Sequence, residues 1–366
     1  MRILITNNAL GGRTGTELYV RDLALRLRDL GHEPMAWSTS LGDGADELRS
    51  YGVPVTDDLV RLPFQPDLIH GQHHLDTMTA LLAFPGVPAV YFCHGAVPWE
   101  EIPPVSPRIH RYVAIDQACW ERIVNECQID PKKTTTLLNF VDLERFQPRG
   151  PLPEKPRRAL VFSNLARRNK TFQIIRHACA SHGISLDVVG ASVQNLTATP
   201  EKILPQYDLV FAKGRAALEA MAVGCAVIVW GTGGCGPLVT TGEFDRLRAF
   251  NFGYRTTTHL VTRKYISDQI ARYAAADATI VSRRLRAEGD LRDTVDQIVR
   301  IYETVLAEHR QQPPDPAAEA LAAAVYWQKL LPLIKHGPKS IPRAARSKLR
   351  ERLARKTEKL TRWLRK

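Results

Sequence analysis

The stretch LVFAKGRAALEAMAVGCAVIVW, residues 209–230, determines the fold predicted for this chain. Two apolar, β-prone segments, 209–211 and 226–230, enclose a helix pattern that ends at Gly224, a residue typical of helix C-termini. The stretch therefore predicts a strand, a short loop, a helix and a second strand. This is the repeating unit of a parallel sheet covered by helices.

The loop of this unit carries two cations, and its helix carries one carboxylate. A helix N-terminus presents unbonded N–H groups and a positive dipole, so together with Lys213, Gly214 and Arg215 it suits a diphosphate. Glu219 lies one turn beyond Arg215 on the same helix face, where its carboxylate could accept hydrogen bonds from ribose hydroxyls. The alternative is a basic loop that only caps an ordinary buried strand–helix–strand unit.

The same helix and strand carry a family resemblance. The segment LEAMAVGCAVI, residues 218–228, resembles the signature of glycosyltransferase family 4, the retaining sugar-nucleotide enzymes of GT-B fold. The resemblance implies that Glu219 binds the nucleotide ribose and that transfer retains the anomeric configuration. The family's E-x7-E motif begins with an earlier Glu that contacts the donor sugar, and here Phe211 stands in its place.

The beginning of the chain resembles the same family. MRILIT, residues 1–6, predicts a buried strand, and a helix pattern over 18–30 follows a glycine-rich loop at 10–17. This order resembles the family's first strand, GG-x-E loop and first helix. The resemblance implies that three loop residues lie near the donor phosphates and the acceptor: Gly15, Thr16 and Glu17.

Histidines follow two further predicted strands. The segment DLIHGQHH, residues 67–74, contains three, but no carboxylate or cysteine stands at a ligand-like spacing around them, so no metal site is predicted. The segment VYFCHG, residues 90–95, predicts a strand that ends at His94. In the family a histidine after this strand contacts the donor sugar, so the resemblance makes His94 a catalytic candidate. The alternative is a structural histidine at a strand end.

Residues 138–157 lead from a first domain into a second. LNFVDLERFQP, residues 138–148, resembles the family motif at the exit of the first domain, and the resemblance implies a binding role for Asn139. Its side chain also favours a turn. Four prolines between 148 and 157 predict a linker.

A second anion site is predicted where the strand at 158–162 enters the next helix. Lys170 matches a family lysine that clamps the donor diphosphate, which makes it a further catalytic candidate. Ser163 or Asn164 occupies the position of the family arginine, and Arg167 could act from the loop instead. These residues are therefore predicted to bind the diphosphate.

Alternating strand and helix patterns predict an α/β protein with two Rossmann-like, doubly wound parallel-sheet domains (GT-B) and a basic helical extension. The predicted units are an acceptor-side domain at 1–148, a nucleotide-sugar-binding domain at 158–310 and a helical tail at 317–366. Ligands are expected beyond the carboxyl ends of the strands, in the cleft between the domains. We also expect a helix within 266–309 to cross back to the first domain, as in GT-B enzymes, and a cleft-facing loop at 233–237.

Composition fits a protein of two soluble domains. The chain has 366 residues, of which 44% are hydrophobic and 24% charged, and it contains no apolar run of the roughly 20 residues that span a bilayer. The first residues, MRILIT, have the pattern of a strand, so we do not expect them to be a signal peptide. The six cysteines show no C-x-x-C pair, which is typical of reduced thiols. These features predict a cytoplasmic location.

The net charge of +12 is concentrated in residues 339–366. Twelve Lys and Arg stand there against two Glu, a balance of +10. Apolar residues fall near one helical face of this segment: Leu349, Leu353, Leu360, Trp363 and Leu364. Such a helix suits an anionic membrane surface, at the inner face of the membrane. The alternative is a solvated helix that packs on the protein or on a partner, and nucleic acid is not expected because the rest of the chain is nearly neutral.

The resemblance and the predicted anion sites together predict a hexosyltransferase-type glycosyltransferase. Its donor is expected to be a UDP- or GDP-sugar and its acceptor a glycan or a lipid-linked molecule, as in polysaccharide biosynthesis. Neither a cofactor nor a metal is expected. Two alternatives stay open: a non-catalytic nucleotide-sugar-binding subunit that has lost the family's first Glu, and a nucleotide-sugar epimerase or hydrolase.

Overall fold

The computed structural model describes residues 1–336, which form two sheets flanked by helices. The strands of the first sheet are β1 Arg2–Thr6, β2 Glu33–Trp37, β3 Val55–Thr56, β4 Leu68–Gln72, β5 Ala89–Cys93, β6 Ile109–Ala114 and β7 Thr134–Thr136. They are parallel and lie in the order β3-β2-β1-β4-β5-β6-β7. The helices between them are α1 Gly15–Asp29, α2 Asp43–Ser50, α3 His74–Ala83 and α4 Gln117–Glu121.

Both faces of the first sheet are buried, as is usual for parallel strands. Residues of one parity, such as Ile5 and Val90, pack in a core shared with α1. Residues of the other parity, such as Leu4 and Ile69, pack in a core shared with α3. The apolar runs of the strands therefore match a layer of helices on each side.

The second sheet contains β8 Arg158–Phe162, β9 Ser185–Val189, β10 Leu209–Ala212, β11 Ala226–Gly231 and β12 Gly234–Leu238. Their order is β12-β11-β10-β8-β9, and β12 is antiparallel to β11 while the other pairs are parallel. The helices of this region are α5 Lys170–Ser181, α6 Pro200–Ile203, α7 Arg215–Val223, α8 Phe244–Arg248, α9 Arg263–Ala271 and α10 Ala275–Glu288. Residues 209–230 form β10, α7 and β11, so the predicted strand–helix–strand unit and the α/β fold class are confirmed.

The prediction of a cleft-facing loop at 233–237 is wrong, because this segment belongs to the edge strand β12. Its glycines allow the strand to pack closely against neighbouring backbone. A Cβ at Gly236 would lie 2.2 Å from the carbonyl oxygen of Thr256. The glycines of this segment, which suggested a loop, therefore belong to a strand that packs against the backbone of another segment.

The chain returns to the first sheet after completing the second. Helix α11, Leu291–Gln311, buries Val295, Ile298 and Tyr302 in the core that also contains α1. This confirms the expected helix that crosses back. The packing also corrects the prediction that residues as far as 310 belong with the second domain, because α11 contributes to the core of the first.

Helix α12, Pro316–His336, continues along the first domain. Glu319 lies 2.6 Å from Arg108 Nε, and the hydroxyl of Tyr326 lies 2.8 Å from His74 Nδ1. Apolar side chains are exposed along this helix: Leu321, Val325, Trp327, Leu331 and Ile334. No helix within residues 1–336 is long and apolar enough to cross a membrane. The predicted basic segment 339–366 lies outside the described residues.

Candidate functional site: a basic cleft between the two sheets

A cleft of about 230 Å³ lies between the first turn of α1 and the carboxyl ends of β8, β9 and β10. Phe162 and Val189 end β8 and β9, and Lys213 follows β10. All three residues line the cleft. The cleft therefore occupies the position where doubly wound sheets bind their ligands.

The structure brings about half of the predicted site residues into this cleft. Those that line it are Gly15, Ser163, Asn164, Lys213, Arg215 and Glu219. Those that do not line it are Thr16, Glu17, His94, Asn139, Arg167, Lys170 and Gly214. Sequence reasoning missed two cations of the cleft wall, Arg13 and Arg145, although both stand inside the motifs that carry the family resemblance.

Arg215 is held by two carboxylates. Its guanidinium pairs with Asp22 of α1, and its Nε donates to Glu219 Oε1 at 2.8 Å. Asp22 also accepts a hydrogen bond from Arg21 Nε at 2.8 Å. Because Asp22 lies on a helix of the first sheet and Arg215 begins α7, this network joins the two domains at the wall of the cleft.

Burial and pairing have opposite effects on the carboxylates of this network. Burial alone would raise the pKa of Asp22, but Arg215 and Arg21 outweigh it and hold this pKa below its ordinary value. Burial is the larger effect at Glu219 and raises its pKa, despite Arg215. Asp22 is therefore the firmly ionised partner, and a phosphate that approaches Arg215 has to compete with it.

Lys213 extends across the end of the neighbouring strand. A Cβ at Gly231 would lie 2.9 Å from Lys213 Cδ. Glycine at the end of β11 therefore leaves room for the lysine stem beside the cleft. The Lys213 side chain therefore runs past Gly231 toward the place where the sequence predicts a phosphate ligand.

Arg13 and Arg145 hold a loop of the second domain from the opposite side. Both donate to the carbonyl oxygen of Ala198, at 3.4 Å and 3.0 Å. Arg13 also pairs with Glu47 at 2.7 Å, and Arg145 pairs with Glu201 at 2.8 Å. The two arginines thus add charge to the cleft and connect it to the loop that closes one side.

Glu17 organises the glycine-rich loop. Its carboxylate accepts hydrogen bonds from the backbone N–H groups of Gly11 and Gly12 at 2.8 Å and of Thr14 at 2.6 Å. The residue itself is buried. These bonds fix the path of the loop as it leads into Gly15, so Glu17 acts on the cleft through the backbone.

The loop between β8 and α5 contributes its first residues to the cleft and not its cations. Ser163 and Asn164 line the cleft, and the Asn164 amide donates to the carbonyl oxygen of Arg13 at 3.3 Å, across the domains. Arg167 and Lys170 are exposed outside the cleft. The second predicted anion site is therefore not assembled by these two side chains.

Asn139 lies at the joint between the domains. Its carbonyl oxygen accepts from Arg248 Nη2 at 2.8 Å, and its N–H donates to Asn251 Oδ1 at 3.2 Å. The Asn251 amide also donates to the carbonyl oxygen of Ile115. Asn139 therefore positions the exit of the first domain.

Phe211, which the sequence resemblance aligns with the family's first Glu, has its side chain fully buried in the core of the second domain. Strand β10 continues through Ala212, which keeps Phe211 inside the sheet and paired with Ile228. The first residue beyond the strand is Lys213. The end of this strand therefore brings a cation to the cleft wall.

His94 lies beside α1, with its ring centroid 4.4 Å from that of Tyr19. Its backbone N–H donates to Glu101 Oε2 at 2.9 Å, and His73 Nε2 lies 3.4 Å from Glu101 Oε1. Burial raises the pKa of Glu101 to about 8 and lowers the pKa of His73 to about 4. Glu101 is a buried acid next to a predicted site residue, and sequence reasoning missed it because its bond is to a backbone group.

The histidines of the first sheet bind protein groups. His70 Nδ1 lies 2.5 Å from the hydroxyl of Tyr302, and His74 Nδ1 contacts Tyr326. Within residues 1–336 there is no group of three or more His, Cys, Asp or Glu side chains that could hold a metal ion.

Comparisons with known proteins agree with this architecture. Residues 13–145, about a third of the chain, match the model of Glycosyltransferase Family 4. No curated protein sequence matches the chain. The structure of Anabaena HepE in complex with UDP aligns with a TM-score of 0.62 at 17% identity, covering 83% of this chain and 100% of that one. The fold is GT-B.

Two further GT-B structures align over similar lengths. A glycosyltransferase from Rickettsia africae ESF-5 gives a TM-score of 0.60 at 13% identity, covering 83% of this chain and 98% of that one. The UDP-GlcNAc 2-epimerase from Neisseria meningitidis bound to UDP-GlcNAc gives 0.52 at 13% identity, with 83% and 100% covered. The shared fold therefore includes proteins with different activities.

The Asp22→Asn variant is expected to be less stable by about 3 kcal/mol, because Arg215 and Arg21 lose the charge of a shared buried partner. The free energy of unfolding in urea measures this loss. Asp29→Asn, an exposed change on the same helix, is the control. Equal stability of the two variants would contradict the role given to the buried pair.

The Glu101→Gln variant is expected to change the pH dependence of stability. The pKa of Glu101 is about 8 in the folded protein, compared with an ordinary value of 4.5 in the unfolded chain. Between these values the folded state keeps a proton that the unfolded state releases, so the free energy of unfolding falls as the pH rises. The variant should therefore gain stability over the native protein by up to about 1.4 kcal/mol per pH unit in this window. Urea unfolding between pH 5 and 8 tests this, with Glu303→Gln as the exposed control. Parallel curves for Glu101→Gln and the native protein would contradict it.

Proposed function

We propose that the protein transfers a hexosyl group from a nucleoside-diphosphate sugar to a hydroxyl group of a glycan or lipid-linked acceptor. The observation that carries the proposal is the interdomain cleft, where Lys213, Arg215 and Glu219 meet the glycine-rich loop at the carboxyl ends of three strands. The match of residues 13–145 to Glycosyltransferase Family 4 and the GT-B fold support the same activity.

The donor is proposed to be a UDP- or GDP-sugar. Anabaena HepE is described in complex with UDP-glucose, which supports the uridine nucleotide. In this chain Lys213, Arg13 and Arg145 place positive charge on the cleft wall, and positive charge in a cleft attracts a diphosphate. Glu219 lies beside them as an acceptor for ribose hydroxyls, and its Oε1 also accepts from Arg215 Nε.

The proposed chemistry depends on electrostatic stabilisation of the leaving group. The bond between the anomeric carbon and the diphosphate oxygen breaks, and the electron pair stays on the diphosphate. Lys213 and Arg215, with the N-terminus of α7, stabilise that developing charge. The acceptor oxygen bonds to the anomeric carbon, and its proton goes to an oxygen of the departing diphosphate. Retention of configuration follows the family resemblance, and no cofactor enters the proposed reaction.

A nucleotide-sugar-binding subunit without transfer activity is the second candidate. The buried Phe211 favours it, because the family's Glu at this position contacts the donor sugar and Phe211 faces the core instead. This candidate predicts binding of the donor without release of the diphosphate. An epimerase or hydrolase would instead convert the donor without an acceptor.

Transfer is tested by incubating the protein with UDP-glucose, UDP-GlcNAc and GDP-mannose, with and without lipid-linked and glycan acceptors. Thermal shift reports binding, and release of the nucleoside diphosphate reports turnover. We expect one donor both to stabilise the protein and to release its diphosphate in an acceptor-dependent manner. Stabilisation without release would favour the binding subunit, and acceptor-independent conversion would favour the epimerase or hydrolase.

A binding measurement on the Lys213→Ala variant tests the phosphate contact. Loss of one charge-assisted hydrogen bond is expected to weaken UDP or GDP binding about tenfold, measured by calorimetry. Lys264→Ala, an exposed change on α9, is the matched control and should leave affinity unchanged. Arg215 is less suitable for this test because its substitution also removes the buried pair with Asp22. Equal affinity in both lysine variants would exclude the assignment.

We propose that the protein also binds an anionic membrane surface. The sequence of 339–366 is strongly basic, and α12 before it exposes Trp327, Leu331 and Ile334. Exposed apolar side chains next to a basic segment suit the boundary between anionic headgroups and acyl chains. Such binding would bring the cleft close to a lipid-linked acceptor, and the predicted cytoplasmic location stays a prediction.

Deleting residues 339–366 is expected to reduce binding to vesicles containing phosphatidylglycerol at least about tenfold, because the segment carries most of the net charge. Co-sedimentation at low salt measures this binding, and vesicles of phosphatidylcholine alone are the control. Added salt should weaken binding of the full chain. Equal sedimentation of the full and shortened chains would count against the membrane proposal.

A further inference from the structure

A second cavity, of about 360 Å³, lies in the first domain between α11 and β7, the last strand of the first sheet. We call this cavity the edge groove. One wall consists of four residues on a single face of α11, and the other consists of strand residues and two cations beside them: Gln297, Arg300, Ile301 and Thr304, then Arg111, Lys132 and residues 134–137. None of these residues lines the nucleotide cleft, so the edge groove is a separate site.

The backbone of β7 presents hydrogen-bonding groups to the edge groove. The Leu137 N–H donates to the carbonyl oxygen of Ala114 in β6 at 2.9 Å. Successive residues of a strand turn their N–H and C=O groups to opposite sides, so those of Thr136 point away from β6. Because no strand within residues 1–336 lies beyond β7, an incoming strand can bond to Thr136.

The other three sheet edges are covered by hydrogen bonds from elsewhere in the chain. These bonds run from Arg49 Nη2 to the Val55 carbonyl oxygen in β3 at 3.1 Å, from the Asn195 amide to the Val188 carbonyl oxygen in β9 at 2.9 Å, and from the His259 N–H to the Cys235 carbonyl oxygen in β12 at 2.9 Å. In the described part of the chain no such bond reaches the outer side of Thr136. Since proteins commonly protect exposed strand edges, the open edge of β7 indicates a place for pairing.

The edge groove is positively charged. Lys132 lies just before β7 and Arg300 lies on α11, and both are exposed. Among residues 1–336 neither of them takes part in an ion pair, whereas Arg111 pairs with Glu308. No carboxylate lines the edge groove. It therefore attracts a ligand that carries negative charge.

Strand register determines which side chains of an added strand would meet these cations. Thr135 pairs with Val113, and Val113 packs in the core that α11 covers, so Thr135 lies on the α11 face of the sheet. A strand added beside β7 would lie about 4.8 Å further out, and every second side chain of it would point to the same face. Arg300 stands on that face, so carboxylates at alternate positions match the edge groove.

A second copy of this chain matches the edge groove poorly. Pairing of β7 with β7 of another copy would bring together the cations around both strands: Lys132, Lys133 and Arg300. Like charges on neighbouring strands are destabilising. An acidic segment of a different protein has the complementary charge.

We propose that the edge groove binds an acidic, extended peptide segment of a partner protein, which adds a strand to the first sheet beside β7. Backbone hydrogen bonds to Thr136 hold the segment, and Lys132 and Arg300 pair with its carboxylates. The backbone bonds accept any extended sequence, whereas the cations select acidic segments over basic ones. The proposal concerns a surface outside the cleft and does not depend on the proposed transfer reaction.

The test uses a fluorescent synthetic peptide of alternating glutamate and valine, with binding to the full chain measured by anisotropy at physiological salt. A peptide with the same charge but N-methylated valines cannot donate backbone hydrogen bonds from those residues. It should bind at least about tenfold more weakly. A peptide of alternating lysine and valine should not bind.

Two variants locate the binding at the edge groove. Arg300→Glu should weaken binding of the acidic peptide at least about tenfold, because repulsion replaces attraction. Arg283→Glu, the same change at an exposed arginine of α10, is the matched control and should leave binding unchanged. Thr136→Pro removes an N–H that points away from β6, so it should weaken binding about tenfold while the melting temperature stays close to that of the native protein. If Thr136→Pro fails to fold, the N-methylated peptide tests the backbone bonds in its place.

Three results would overturn the proposal. The first is the absence of saturable binding of the acidic peptide. The second is equal affinity of the Arg300→Glu and Arg283→Glu variants, or of the plain and N-methylated peptides, which would assign the binding to charge elsewhere, such as the basic segment 339–366. The third is tighter binding of oligogalacturonate than of the peptide, which would make the edge groove a site for an acidic glycan.

Discussion

The ion pair between Arg215 and Asp22 is the interaction on which the cleft depends. It joins α7 of the second domain to α1 of the first, and these two helices carry Glu219 and Gly15 on opposite walls. Buried charges persist only with partners, so the pair constrains the approach of the domains at this point. A diphosphate bound as proposed would bring negative charge to the same guanidinium, so its binding would be coupled to the domain contact through one side chain.

Both domains contribute cations to the cleft, because Arg13 and Arg145 belong to the first domain and Lys213 and Arg215 to the second. Strand β10 runs through Ala212, which buries Phe211 and makes Lys213 the first residue to emerge at the cleft. The second domain thus offers cations suited to phosphates. The first domain also holds buried side chains around Gln72 whose polar atoms have no hydrogen-bond partner within residues 1–336.

Strands and helices that depend on local sequence pattern could be predicted, whereas side-chain partners that are distant in sequence could not. The unit at 209–230 could be predicted because β-prone segments and the helix C-terminus at Gly224 depend only on residues nearby in the sequence. The partner of Arg215 was not, since Asp22 lies 193 positions away and no spacing rule connects them. Glu101 acts on the backbone N–H of His94, which leaves no signature in the side chains around it, whereas Glu17 was predicted from the glycine-rich loop motif. The glycines near Gly236 led to the wrong prediction of a loop for a related reason, because the backbone that Gly236 approaches is that of Thr256, which belongs to another segment.

The crossing of α11 means that the second domain is an insertion within the first. Ile298 and Tyr302 complete the core beside β1 and β4, yet the ribosome makes them after the whole second sheet. During synthesis the N-terminal sheet therefore emerges with this face covered only in part, by α1, and α11 completes the cover. An exchange of the second domain between relatives would need two junctions, one in the linker and one before α11, because a single cut would separate the first sheet from part of its own core.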